Sequence, residues 1–148
     1  MKGSKMRKLM KAALVVTVSL GTVLGVTTAA QADTTFTGAN YAGIYTDTAA
    51  GVALAQVDWT TGTKTAPAYA HAYIENSHTA YSLNGWLERS TDGGKTWSIE
   101  SGINALNDGS ADTSVQTYDY YDGPGYLARA CFQFTSWSGA AVHCSPAI

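Results

Sequence analysis

Basic residues are scarce in this 148-residue sequence beyond its first eleven positions, and charged residues make up only 14% of it. A protein that holds nucleic acid does so by clustered Lys and Arg that release counterions, so no nucleic-acid partner is expected. There are only two cysteines and three histidines, and neither H-E-x-x-H nor G-x-S-x-G occurs. The spacings of a zinc hydrolase and of a nucleophile elbow are therefore missing. Neither a metal nor a cofactor is expected, and no residue is nominated as catalytic.

What is present is unevenly distributed. The first 32 residues hold five positive charges (Lys2, Lys5, Arg7, Lys8 and Lys11), no acid and no aromatic residue. A basic start, an apolar stretch from Ala12 to Val26 and then Ala30-Gln31-Ala32 give the order of a secretory signal peptide, with cleavage before Asp33. A retained membrane helix is the alternative, but Thr and Gly dilute the apolar run and no stop-transfer charges follow. The expected product, residues 33–148, is exported, soluble and free of the membrane. It is one domain by length, and a monomer is expected. It holds all 11 acids against four bases, a net charge of −7, and all 16 aromatic residues. In an oxidising compartment Cys131 and Cys144 pair in the one connectivity open to them. Such a bridge stabilises by roughly 3 kcal/mol in the chain-entropy picture.

Thr, Ala, Gly, Ser and Tyr dominate this portion, a composition that favours strands and turns. Strands are expected over Gly51–Trp59, Tyr81–Arg89, Thr96–Glu100, Thr113–Tyr121, Tyr126–Thr135 and Ala140–Ser145. Pro67 to Tyr81 alternates Tyr69, His71, Tyr73 and Glu75 against Ala68, Ala70, Ala72 and Ile74. Tyr69, Ala72, Tyr73, Asn76 and Ala80 also sit at helical spacing, but the surrounding pattern favours a strand. If Ser136 and Gly139 flank a two-residue turn around Trp137, Cys131 falls opposite Cys144. The fold class expected is all-β: a small antiparallel sandwich with one hairpin disulfide.

Ser90-Thr91-Asp92-Gly93-Gly94-Lys95-Thr96-Trp97 resembles an Asp-box, the hairpin repeated around sialidase-like propellers. In those families the motif is structural, so the resemblance implies a turn and nothing catalytic. A sialidase-like activity is excluded, because its arginine trio cannot be drawn from Arg89 and Arg129 alone. A propeller is excluded by length. Asp122 to Ala128 is similar to the entry to strand F of immunoglobulin-like domains. The likeness implies a tyrosine corner at Tyr126 and a core tryptophan at Trp86. Ala128 stands where that family has its second cysteine, and the first is absent too.

The function expected is non-enzymatic binding of an extracellular glycan or protein through aromatic loops. Tyr118, Tyr120, Tyr121 and Tyr126 form a Tyr–Asp–Gly-rich stretch, and Trp137 sits at a hairpin tip. Tyr and Trp offer contact area at low entropic cost. Two alternatives stand beside this. One is a small hydrolase using His71 and Glu75, or a carboxylate pair such as Glu75 and Glu88. The other is an inhibitor or competition factor that presents the Cys131–Cys144 hairpin.

Overall fold

The computed structural model describes residues 32–48, 51–60, 68–108, 113–135 and 140–148. In chain order the strands are β1 (Ala32–Thr37), β2 (Tyr41–Thr48), β3 (Gly51–Thr60), β4 (Tyr69–Asn76), β5 (Leu83–Ser90) and β6 (Ser98–Ile99). They continue with β7 (Asn104–Leu106), β8 (Thr113–Gln116), β9 (Tyr120–Tyr121), β10 (Leu127–Phe134) and β11 (Val142–Cys144). The larger sheet runs β1-β2-β3-β4, with β8 and β9 both on the far edge of β4. The smaller runs β11-β10-β5, with β6 and β7 both on the far edge of β5. Every pairing is antiparallel. The expected all-β sandwich is what the chain forms, and 67–81 supplies a strand rather than a helix.

Period-two alternation explains the two layers. The larger sheet turns Ala42, Ile44, Ala53, Ala55, Val57, Ala70, Ala72 and Ile74 inward, all buried. The smaller sheet meets them with Leu83, Leu87, Ala128, Ala130, Phe132 and Phe134. Alanines on one side make room for phenylalanines and leucines on the other. At Gly85 the layers approach closely: a Cβ there would lie 2.5 Å from Ile74 of the opposite sheet.

Several expectations are refined. β1 and β2 were not foreseen, because Thr, Ala and Gly blur the alternation that marks a strand, and β7, three residues long, is too short to show one. The strand expected over 113–121 breaks into β8 and β9. Between them Thr117 stays on the edge, its Oγ1 accepting the Ala72 N–H at 2.9 Å. Trp86 is buried, only 5% exposed, but it does not lie between the two sheets. Leu83, Gly85 and Leu87 take the inward positions of β5, so Trp86 faces outward and donates to Glu88 at 2.9 Å. The order β11-β10-β5 places the strand that follows Tyr126 between the strand of Trp86 and the strand of Cys144. Cys131 and Cys144 face one another in register and form the expected disulfide. The signal-peptide reading falls almost wholly on residues 1–31, and the turn around Trp137 on residues 136–139. Both lie outside the described residues.

The Asp-box forms as its sequence implies. Asp92 Oδ1 accepts from Ser90 Oγ and from the Lys95 and Thr96 backbone N–H groups, and Oδ2 accepts from Thr96 Oγ1 at 2.7 Å. Gly93 and Gly94 take φ of 74° and 86°, which β-carbon-bearing residues resist. Trp97 donates to the Gly94 carbonyl at 3.0 Å, and its ring carries the Arg129 guanidinium 4.1 Å from its centroid. Glu88 fixes that guanidinium at 2.6 Å. The motif thus braces the outer face of the smaller sheet.

Candidate functional site

The residues with chemistry to offer converge on the outward face of the larger sheet. Alternation leaves β1 presenting Thr34 and Phe36, β2 Tyr41, Gly43, Tyr45 and Asp47, and β3 Val52, Leu54, Gln56 and Asp58. β4 presents Tyr69, His71, Tyr73 and Glu75, β8 Ser114 and Gln116, and β9 Tyr121. Register turns these into rows across the strands, with steps of about 4.8 Å. One row reads Phe36, Gly43, Gln56, Tyr73, Gln116; the next in one direction reads Thr34, Tyr45, Leu54, Glu75, Ser114. On the other side lies Tyr41, Asp58, His71.

Glycines let the rings lie down on this surface. Phe36 occupies the space a Cβ at Gly43 would need, Tyr41 does so at Gly38 and Tyr121 at Gly123. Phe36 lies 5.9 Å from Tyr41 and 6.3 Å from Tyr45, tilted 53° and 40° to them, so the rings join into one faceted aromatic platform. Tyr121 also meets Tyr69 edge-on at 6.3 Å and Tyr126 at 5.4 Å, so three tyrosines continue the surface around the β9 edge. Arg89 lies 4.8 Å from the Tyr126 ring centroid, donates to the Tyr121 carbonyl at 3.0 Å and pairs with Glu100 at 2.7 Å. Nearby, burial pushes the Asp122 carboxyl above the usual range, against the opposing pull of Arg89. Its Oδ1 is buried without a hydrogen-bond partner.

Polar groups on the face are held rather than loose. His71 Nδ1 lies 2.9 Å from Asp119 and Nε2 3.5 Å from Asp58. Gln56 donates to Asp58 at 2.6 Å, and the Tyr73 hydroxyl donates to Glu75 at 2.9 Å. Tyr73 is raised above the ordinary phenol value: its bond from Ser114 lowers it, and the bond to Glu75, desolvation and the Glu75 charge together outweigh that.

The residues singled out in the sequence are distributed as follows. Tyr118 is 85% exposed at the break between β8 and β9. Tyr121 and Tyr126 join the aromatic edge just described. Tyr120 points the other way and packs against the core. Trp137 lies outside the described residues. Phe36, Tyr41, Tyr45, Tyr69 and Tyr73 were missed as a surface. The alternation of Tyr69, His71, Tyr73 and Glu75 was the available signal, but which face of that strand met solvent was not in it.

Hydrolysis finds little support in this geometry. His71 and Glu75 share the face, yet each is engaged by other side chains. Glu75 points out of the larger sheet and Glu88 out of the smaller, with both layers between them. Sheets pack about 10 Å apart, so that pair exceeds the separation glycoside hydrolysis needs. The group Glu88, Cys131 and Cys144 brings three potential metal ligands within 4.8 Å of one another, but the two sulfurs are joined in the disulfide. His143 and Asp33, 2.9 Å apart, instead tie β11 to β1 across the open side of the sandwich. No family model, curated protein or solved structure matches the chain.

Proposed function

We propose that this is an exported, non-enzymatic binding protein that seats a glycan on the outward face of the larger sheet. The observation that carries the reading is the platform of Phe36, Tyr41, Tyr45, Tyr69, Tyr73 and Tyr121, interleaved with Gln56, Asp58, His71 and Glu75. A sugar ring has one apolar face and a rim of hydroxyls. Flat aromatic rings cover the first, and fixed carboxylates, amides and phenols accept or donate to the second. The signal-like first 32 residues support export, and the disulfide agrees with it more weakly.

Retention of the mature protein on a panel of insoluble polysaccharides tests the reading. Wild-type protein should be retained by at least one, and Tyr69→Ala and Tyr73→Ala should each weaken retention about tenfold with unchanged circular dichroism. Trp137→Ala should bind as wild type does. Retention by none of the panel would sink the proposal. Loss of binding in Trp137→Ala alone would move the site to the hairpin tip.

A further inference from the structure

We infer that the glycan this face accepts is a polycationic amino-sugar polymer, a chain of β-linked glucosamine units. The inference rests on the glycan reading above and adds the charge of the ligand to it. Asp47, Asp58 and Glu75 occupy outward positions on β2, β3 and β4, and Asp119 reaches the same face through His71. None of the outward positions of β1, β2, β3, β4, β8 and β9 is Lys or Arg. Of the described cations, Arg89 at the Tyr126 edge pairs with Glu100, Arg129 pairs with Glu88, and Lys95 lies in the Asp-box turn of the smaller sheet. A polyanion would meet net repulsion here, whereas an amine-bearing chain would meet matching charge.

Shape separates an amino sugar from a basic peptide. A lysine side chain is best held in a cage of upright rings that surround its ammonium group. On this face Phe36 and Tyr41 lie across Gly43 and Gly38; the edge-on ring contacts, Tyr121 with Tyr69 and with Tyr126, gather at the β9 edge, where Arg89 already lies on the Tyr126 ring. Such a platform suits the flat apolar side of a pyranose, with the carboxylates beside it facing the ring's amine. Asp58 and Glu75 stand on adjacent strands, to either side of the Gln56–Tyr73 row, so charge and ring alternate across the sheet.

The test compares chitin with the same polymer after deacetylation, at mildly acidic pH where the amines are protonated and carboxylates remain ionised. The deacetylated polymer should retain the mature protein, chitin should retain it about tenfold less well, and added salt should release it. Asp58→Asn combined with Glu75→Gln should cost about tenfold on the deacetylated polymer and nothing on chitin. Tyr73→Ala should weaken retention on both. Equal retention on both polymers, insensitive to salt and to the carboxylate changes, would overturn the inference while leaving glycan binding intact. Retention by polylysine as strong as by the deacetylated polymer, indifferent to Tyr73→Ala, would overturn it in favour of a basic protein. Retention on no polysaccharide at all would remove the glycan reading beneath it.

Discussion

Asp92 is exposed, yet its carboxyl is held down at about 2, first by the Thr96 hydroxyl and then by the Thr96 N–H and Ser90. Its folded value lies below the ordinary 3.8, so its contribution to stability is present above that value and is lost as pH falls through about 2. Acid titration of the melting temperature should therefore show a decline in this window that Asp92→Asn flattens. His78 acts in a separate window. It is fully buried, and burial alone pushes its imidazole below the ordinary 6.5. The fold prefers the neutral ring, so stability should be complete above pH 6.5 and fall below it, as the unfolded chain takes up a proton that the native state refuses. His78→Phe should remove that slope in denaturant midpoints measured on either side of pH 6.5; an unaltered slope would exclude this histidine as its origin. The Asp92 arrangement was legible in eight consecutive residues, because every one of its bonds is local. The burial of His78 was not, since a residue just past a strand end can face either solvent or core.

Strands in this molecule are distinguished by what their glycines accommodate. A Cβ at Gly85 would lie 2.5 Å and 2.8 Å from the Ile74 side chain, inside a packed core where neither sheet can retreat. Gly85→Ala should cost about 1–3 kcal/mol in chemical denaturation, as overpacking does. A Cβ at Gly43 collides with the Phe36 ring instead, which is partly exposed and can swing away. Gly43→Ala should thus change stability far less while lifting a ring from the platform. If both glycines proved equally costly, the contrast between a buried and a movable neighbour would be wrong. At the hairpin of β10 and β11, removing the disulfide with Cys131→Ala and Cys144→Ala together should cost roughly 3 kcal/mol, read from the same denaturation curves. That pairing was legible in advance because the turn expected from the sequence dictates the register that Cys131 and Cys144 take. β1 and β2 were not. Thr46 is buried in an inward position and bonds to Asp33, a polar residue where alternation would ask for an apolar one.

For the molecule as a whole, stability rests on one interlayer core in which a few large side chains fill the space that alanines leave. Phe132 is fully buried and touches Phe134 and His143 at ring separations of 5.6 Å and 5.0 Å. Phe132→Ala should cost about 3–5 kcal/mol, and the unfolding transition should remain a single one because both sheets share this core. A loss confined to the smaller sheet, seen as two transitions, would show that the layers fold separately. Much was settled by the sequence alone: the strand-rich class, the disulfide register, the Asp-box turn and the excess of acid over base after residue 32. Each depends on residue type or on neighbours a few positions apart. Only the tertiary structure decided which face of each strand is covered. That choice sent Tyr120 into the interlayer core and Trp86 to the far face of the smaller sheet, where it is buried all the same, and gathered tyrosines from β2, β4 and β9 into one acidic platform. An alternating strand carries two faces of equal sequence standing, and only its pairing and the layer packed against it determine which of them meets water.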